Sequence, residues 1–221
     1  MFNYKERREK LYALMEAEGV DLVFLPKHTA DLDYLTGTER RVVTFGNVQY
    51  THHWVAGAFL HPKHEPKFVF PRMIVEFDSP NGVDPNTTTV SELDDAHTKF
   101  KKVAESFGKV KKIAVSSRTW GETIMHIMQI FPDATIVNAE ELVNKLRRIK
   151  SAEEIEQMTT ACHLVDDVLA QVEGRVNIGV TELDLKTEVN FQMNERGSKT
   201  ESFDTAVWSM GPKNNRDASD R

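Results

Sequence analysis

The alternation of short apolar runs with amphipathic segments is the feature that most constrains the fold. Apolar runs bounded by turn residues predict buried strands, and apolar residues recurring every three or four positions predict helices. The predicted strands are 20–25, 53–60, 67–70, 113–116 and 134–137. The predicted helices are 4–18, 91–107, 119–131 and 138–148. Helices that alternate with strands in this way indicate an α/β layer architecture.

Local signals set the predicted ends of these elements. Gly19 stops the first helix and Pro26 ends the first strand. The polar, proline-containing loop 61–66 joins two strands as a hairpin. Ser91 and Asp94 have the spacing of a helix cap. The expected inward-facing residues of the next two helices are Leu93, Ala96, Phe100, Val103 and Phe107, then Ile124, Ile127, Met128 and Phe131.

The chain beyond about residue 151 has a different organisation. Ser151–Glu154 and Thr181–Asp184 are capping boxes, so each opens a helix. The first of these helices carries an apolar seam of Ile155, Met158, Cys162, Val165, Leu169 and Val172. Residues 203–211 are predicted to form a single strand. Because a stable sheet normally needs three or more strands, we expect the chain to end in the middle of a domain.

Composition excludes several classes of protein. The formal net charge is −6 and the basic residues form no long stripe, which argues against a nucleic-acid binder. No apolar run approaches the length of a membrane-spanning helix. The single cysteine, Cys162, and the charged, non-apolar N-terminus fit a cytoplasmic protein, which is the localisation we expect.

Short motifs give the chain a resemblance to a known family. Residues 146–155 (LRRIKSAEEI) resemble the junction between the two domains of creatinase/prolidase-type enzymes, which include Xaa-Pro dipeptidases and aminopeptidases. Four further segments are similar to motifs of that family in the same order: YLTG at 34–37, GVTE at 179–182, SFDT at 202–205, and SMGP at 209–212 with SDR at 219–221. The order and spacing of these weak motifs together make the resemblance specific.

The resemblance implies a fold, a cofactor and a reaction. Residues 1–140 would form a ribonuclease-H-like creatinase N-terminal domain, and residues 141–221 would begin an α+β pita-bread catalytic domain. The family uses two divalent metals (manganese, cobalt or zinc), which activate a water to cleave small peptides or amides. The ligands would lie beyond Arg221, so we expect neither a metal ligand nor a catalytic residue within this chain. The resemblance also implies a homodimer.

Six residues are candidates for substrate binding: Asn215, Asp204, Arg40, Arg41, His53 and Trp54. In the family, the region of Arg40 and Arg41 reaches the neighbouring subunit's active site, where an arginine could clamp a carboxylate. Aligning SDR at 219–221 places Asn215 where the peptidases have a histidine. A carboxamide cannot carry a proton as an imidazole does. Creatinase-like, ectoine-hydrolase-like or lyase chemistry is therefore an alternative to Xaa-Pro cleavage.

Other residues are interpreted as structural. His61 and His64 have the spacing of a metal pair, but without a further ligand nearby they are interpreted as loop residues. Asp31 and Asp33 are assigned to capping or surface roles, and Cys162 to the apolar seam. A non-catalytic, peptidase-like binding module remains a second functional class. A metal-ligand set in the sequence that follows residue 221 would distinguish the enzyme from the binder.

Overall fold

A computed structural model describes residues 2–39, 50–79, 81–198 and 203–210. The contacts within the chain divide it into two units, Met1–Ile149 and Lys150–Arg221. The strands, all in the first unit, are β1 Leu22–Pro26, β2 Gly57–His61, β3 His64–Pro71, β4 Thr87–Val90, β5 Lys112–Val115 and β6 Thr135–Asn138. The first unit's helices are α1 Tyr4–Glu18, α2 Ala30–Thr36, α3 Arg72–Phe77, α4 Ala96–Glu105, α5 Gly121–Ile130 and α6 Glu140–Arg147, with a 3-10 turn at His53–Val55.

The six strands form one mixed sheet in the order β4-β3-β2-β1-β5-β6. β1 is antiparallel to β2 and parallel to β5, so Val23 lies between Leu60 and Ala114. β2 and β3 form the predicted hairpin, with β4 parallel to β3 on one edge and β6 parallel to β5 on the other. The predicted α/β class is confirmed.

The central strand β1 is buried on both faces of the sheet. Leu22 and Phe24 enter one core, formed with α4 and α5. Val23 and Leu25 enter the other, formed with α1, α2 and α6. Alternate residues of a strand point to opposite faces, so a continuous apolar run is what a strand between two helical layers requires.

The close packing of β1 against β2 requires glycine at position 57. A Cβ atom built there would lie 2.5 Å from Cζ of Phe24 and 2.6 Å from the carbonyl oxygen of Leu25. One of those contacts is with backbone, which cannot move without disturbing the β1–β2 ladder. Only glycine fits at this position.

The predicted end signals of the first helix are present. The side chain of Asn3 accepts a hydrogen bond from the backbone N–H of Glu6 at the start of α1. Gly19 ends the helix with φ 63°, a left-handed conformation in which glycine has no Cβ penalty. Leu11 and Met15 are fully buried against the sheet.

The predicted helix 91–107 begins later than expected. Asp95 is its N-cap and accepts from Thr98 N–H, so α4 starts at Ala96. Ser91 and Asp94 instead close a turn, in which the Ser91 N–H donates to the Asp94 carboxylate. The expectation that Leu93 faces the core is wrong, because Leu93 lies in this turn and is 99% exposed.

The inward face of α5 also differs from the prediction. Thr123, Ile127 and Ile130 are buried, whereas Met128 is 57% exposed. The helix starts at Gly121 rather than Thr119, and its buried stripe passes through Ile130. Met128 therefore lies off that stripe, and the expectation that it faces inward is wrong.

The second unit contains helices α7 Ala152–Glu173 and α8 Glu182–Glu195. Both predicted capping boxes are present, with Ser151 and Glu154 on α7 and Thr181 and Asp184 on α8. The seam of α7 is exposed at most of its positions, Cys162 included. The residues buried on α7 are Val168 and Val172.

The predicted strand over residues 203–211 is wrong for the part that the structure describes. Residues 203–210 have no ladder partner there and adopt no strand. Side chains of α8 hold the segment instead. Thr205 donates to Asn190 (2.6 Å) and the Ser209 N–H donates to Glu182 (2.7 Å).

The two units divide at Ile149/Lys150, so α6 packs with the first unit, against α1. The assignment of residues 1–140 and 141–221 to an N-terminal domain and the start of a catalytic domain stays a prediction.

Candidate functional site

The YLTG segment is fixed by two arginines of α1. The carbonyl of Tyr34 accepts a hydrogen bond from Arg7 (2.9 Å), and the carbonyl of Leu35 accepts one from Arg8 (3.2 Å). The Arg7 guanidinium also lies 4.0 Å from the centroid of the Tyr34 ring. These carbonyls belong to the last turn of α2, where the helix itself supplies no partner. The motif therefore has a defined position on the first unit.

Gly37 ends α2 for two reasons. Its φ is 73°, and its N–H donates to the carbonyl of Asp33 at 2.8 Å. A Cβ atom at this position would lie 2.7 Å from the ring of Tyr4. Both the left-handed backbone and the close approach of Tyr4 require glycine.

A polar cleft of about 270 Å³ begins where α2 ends. Its lining comprises residues 36–39, 78–79 and 81–84, with Phe68 and Phe70 of β3. Beside it, the buried Lys27 donates to the carbonyls of Glu39 (2.8 Å) and Asp78 (3.3 Å). Tyr50 donates to the Asp78 carboxylate at 3.2 Å. Arg40 and Arg41 follow Glu39 directly but lie outside the described residues, so their substrate role stays a prediction.

A second polar region lies at the carboxyl ends of β1 and β5. These strands are parallel, so the residues that follow them meet at one edge of the sheet. β1 leads to α2 on one face and β5 leads to α5 on the other. Where neighbouring parallel strands lead to helices on opposite faces of the sheet, a crevice forms in which α/β proteins commonly bind ligands.

His28 and Trp120 occupy this edge together with the candidate His53. Nε2 of His28 lies 2.9 Å from the carbonyl oxygen of Arg118. The Trp120 ring centroid lies 5.5 Å from that of His28 and 4.9 Å from that of His53. Sequence reasoning missed His28 and Trp120. Their positions just after buried strands are a signal, but the strand order was needed to show that they meet.

The candidate Trp54 lies in the core beside this edge. It is 6% exposed, and its carbonyl accepts a hydrogen bond from Thr123 at 2.6 Å. Its ring contacts Phe100 and stacks on His126 with centroids 4.0 Å apart. The structure places His53 and Trp54 next to each other, with only His53 partly accessible. Substrate binding by either residue stays a prediction.

Burial lowers the pKa of His28 below its usual 6.5, although the bond to the Arg118 carbonyl opposes the shift. Between the lowered pKa and 6.5, the unfolded chain binds a proton that the folded chain does not. We therefore expect the free energy of unfolding to fall as the pH drops below about 6.5, with His28 accounting for at most one proton. Urea unfolding across pH should show a shallower dependence in His28→Gln than in the wild type. Equal slopes in wild type and His28→Gln would contradict this.

Asp31 joins α2 to α6. Its carboxylate is 11% exposed and lies 2.8 Å from Nη1 of Arg147, the first arginine of the LRRIKS motif. The Arg147 guanidinium also lies 6.0 Å from the Tyr34 ring centroid. The interpretation of Asp31 as a surface or capping residue is wrong, because this carboxylate is buried and paired.

We expect Arg147→Met to destabilise the first unit by about 1–2 kcal/mol, since it removes a charged hydrogen-bond donor from a buried carboxylate. Lys145→Met is the matched control on the same helix. Lys145 pairs with Glu18 at 2.7 Å, but both side chains are 48% exposed, and exposed pairs contribute little. Urea denaturation should separate the two variants. Similar losses of unfolding free energy in both variants would show that the Asp31–Arg147 pair contributes no more than the exposed pair.

The hairpin histidines are cross-strand partners with ring centroids 4.8 Å apart. Nδ1 of His61 accepts from the Lys63 N–H at 3.0 Å. Burial, followed by the neighbouring His64 and Lys63, lowers the pKa of His61.

Asp204 lies on the surface of the second unit. Its carboxylate pairs with Lys186 at 2.8 Å and is 86% exposed. Nearby, the start of α8 and residues 207–209 line an open cleft of about 900 Å³. Asn215 lies outside the described residues. The substrate roles of Asp204 and Asn215 stay predictions.

Within the residues that the structure describes, no group of three or more His, Cys, Asp or Glu side chains could hold a metal ion. The dinuclear centre implied by the resemblance has no ligand set among these residues. Over the same residues, no helix is both long and apolar enough to cross a membrane.

Comparisons with known proteins agree with one another. A sequence profile of the Creatinase/Prolidase N-terminal domain matches residues 7–149. The uncharacterized peptidase YqhT of Bacillus subtilis is 35% identical over 105 residues, which are 47% of this chain and 29% of that protein.

Solved structures extend the likeness over both units. A prolidase from Thermococcus sibiricus matches with a TM-score of 0.75 and 20% identity, over 92% of this chain and 53% of its own. An Xaa-Pro dipeptidase from Bacillus anthracis matches with 0.66 and 21%, over 91% and 52%. A proline dipeptidase from Streptococcus pneumoniae matches with 0.51 and 18%, over 65% and 98%. The chain spans about half the length of the first two, and at these identities the likeness shows the fold.

Proposed function

The chain belongs to the creatinase/prolidase N-terminal domain family, and from this we propose that it is the N-terminal part of a metal-dependent hydrolase of small peptides or amides, of the Xaa-Pro dipeptidase or aminopeptidase type. The observation that carries the proposal is the match to the Thermococcus sibiricus prolidase. It covers 92% of this chain and therefore continues well beyond residue 149, where the profile match ends. The likeness thus includes the helices after the first unit.

Two divalent metals would supply the hydrolytic chemistry by activating a water and polarising the scissile carbonyl. Manganese, cobalt and zinc all suit a mixed set of carboxylate and imidazole ligands. The described residues of this chain do not provide that set. The proposed part of this chain is to position substrate, through Asp204 and Asn215 after the first unit and through Arg40, Arg41 and His53 within it.

A second candidate within the family is a creatinase-like or ectoine-hydrolase-like enzyme, or a lyase. It is favoured by the alignment of SDR at 219–221 with the family motif, which would place Asn215 where the Xaa-Pro peptidases have a histidine. The two candidates differ in the group expected at position 215 and in the class of substrate.

The test uses a protein that carries this chain followed by a catalytic half of the length found in the matched prolidases. It would be loaded with manganese, cobalt or zinc and assayed on Xaa-Pro dipeptides, other dipeptides and small amides or amidines. We expect metal-dependent hydrolysis of at least one class, lost on chelation and restored by the metal. Folded, metal-loaded protein that hydrolyses none of them would overturn the proposal and favour a non-catalytic binding module.

We also propose a cytoplasmic homodimer in which the region of Arg40 and Arg41 reaches the partner's active site. Sedimentation of the same protein should show a dimer at micromolar concentration. A monomer over the whole concentration range would contradict this arrangement.

A further inference from the structure

His97 and His126 form a close pair on the face of the sheet that carries α4 and α5. Their Nδ1 atoms lie 2.9 Å apart, and both side chains are only partly buried. His97 is in the first turn of α4 and His126 is in the middle of α5. The two nitrogen atoms are thus held close together by separate helices.

The surroundings fix both rings. The indole of Trp54 stacks on the His126 ring at 4.0 Å, and Trp54 is itself held in the core. The Asp95 cap, whose carboxylate accepts from Thr98, fixes the start of α4 beside His97. Side chains set on rigid elements lose little freedom when they bind a ligand.

The 2.9 Å separation of the two Nδ1 atoms is that of a hydrogen bond, in which one ring donates its N–H to the other. When neither nitrogen carries a proton, the same two atoms can bind one metal ion. The Glu122 carboxylate lies 4.0 Å from Nε2, the other ring nitrogen of His126. In histidine ligands, a carboxylate beside one ring nitrogen commonly leaves the other nitrogen to bind the metal.

The separation of the two nitrogens selects the kind of ion. With metal–nitrogen bonds of about 2.0–2.1 Å, two adjacent ligands at 90° lie about 2.9 Å apart, and two tetrahedral ligands lie about 3.3 Å apart. The observed 2.9 Å, which suits a hydrogen bond, is also compatible with adjacent positions of a square-planar or tetragonal ion. Nitrogen ligands in this geometry are typical of Cu²⁺ and Ni²⁺, whereas tetrahedral Zn²⁺ would require the rings to separate by about 0.4 Å.

We propose that His97 and His126 form a two-imidazole site for a late first-row divalent ion, with Cu²⁺ or Ni²⁺ preferred over Zn²⁺. Water completes the coordination, because no third His, Cys, Asp or Glu of the described chain joins the pair to make a three-residue site. Asp95 and Glu122 lie nearby and make the surroundings favourable to a cation. The bound ion would link α4 to α5. This site is separate from the dinuclear centre of the proposed enzyme and does not depend on it.

The experiment titrates the intact chain with Cu²⁺ in competition with glycine, and records the electron paramagnetic resonance spectrum. We expect one Cu²⁺ per chain with hyperfine coupling to two imidazole nitrogens. His97→Ala should weaken binding at least about tenfold and remove one coupled nitrogen. His64→Ala, which breaks the other histidine pair, is the control and should leave affinity and spectrum unchanged.

His126→Gln should behave like His97→Ala, but it also removes the ring against Trp54. If that variant fails to fold, His97→Ala and the wild-type spectrum decide the matter. Wild-type affinity in His97→Ala, or a wild-type spectrum without two coupled imidazoles, would overturn the proposal. Either result would leave the pair as a hydrogen bond between helices.

Discussion

Replacing Phe100 with alanine is expected to lower the free energy of unfolding of the first unit by about 3–5 kcal/mol. Phe100 of α4 is fully buried, and its ring centroid lies 5.6 Å from that of Phe24, 5.1 Å from that of Trp54 and 5.1 Å from that of Phe59. Alanine would leave a cavity bounded by three large aromatic side chains. Rings anchored in a sheet and a turn cannot collapse into that space, so the cost should lie near the top of the usual range.

The measurement is the urea dependence of amide hydrogen exchange in β1 and β5, which reports on the first unit alone. Met128→Ala is the matched control, because the sequence pattern places Met128 inside whereas the structure leaves it 57% exposed. Its effect should stay within about 0.5 kcal/mol. A large loss of unfolding free energy in Met128→Ala, or a small one in Phe100→Ala, would mean that α4 and α5 pack differently on the sheet.

Local signals predicted the elements of this chain well. The cap at Ser151, the cap at Thr181 and the stop at Gly19 all appear as expected, because each depends on residues within one helical turn. The error at Ser91 has the same local origin. Ser-x-x-Asp fits both a capping box and an isolated turn, and the chain resolves the ambiguity by capping with Asp95 four residues later.

Long-range pairing was beyond the sequence pattern. β1 pairs with β2 and β5, which are far apart in the chain. An apolar run in the sequence does not show which other strand it pairs with. The edge formed by His28, His53 and Trp120 exists only because of that strand order. For the same reason the sequence pointed to His53 and passed over His28 and Trp120, although the Trp120 ring lies next to both histidines.

The motifs of the resemblance have physical roles in the first unit. Gly37 of YLTG has φ 73° and contacts Tyr4, and Arg147 of LRRIKS pairs with the buried Asp31. Such motifs mark positions where backbone conformation or a buried charge restricts the residue type. These motifs support the fold directly. What they imply about the substrate depends on the resemblance to the family.

The second large effect is expected in catalysis at Asn215, which lies outside the described residues. If the protein is an Xaa-Pro peptidase by ancestry, its ability to cleave these substrates should be limited by the missing imidazole. A positioned group that stabilises the transition state typically contributes about 100-fold or more in rate. We therefore expect Asn215→His, in the protein with its catalytic half, to raise kcat/KM for Xaa-Pro dipeptides by up to about 100-fold.

Asn214→His is the matched control, because it introduces the same imidazole one residue away and should leave Xaa-Pro cleavage unchanged. The wild-type enzyme, loaded with manganese, should prefer another small amide or amidine, and Asn215→His should lose part of that activity as it gains the other. A gain in Xaa-Pro cleavage together with a loss of the amide or amidine activity would indicate that residue 215 contacts the reacting atoms. A folding defect would instead lower both activities together. The idea fails if the unmodified enzyme already cleaves Xaa-Pro dipeptides efficiently and Asn215→His is no better. That result would place the family's histidine at another position and leave the proposed hydrolase function intact.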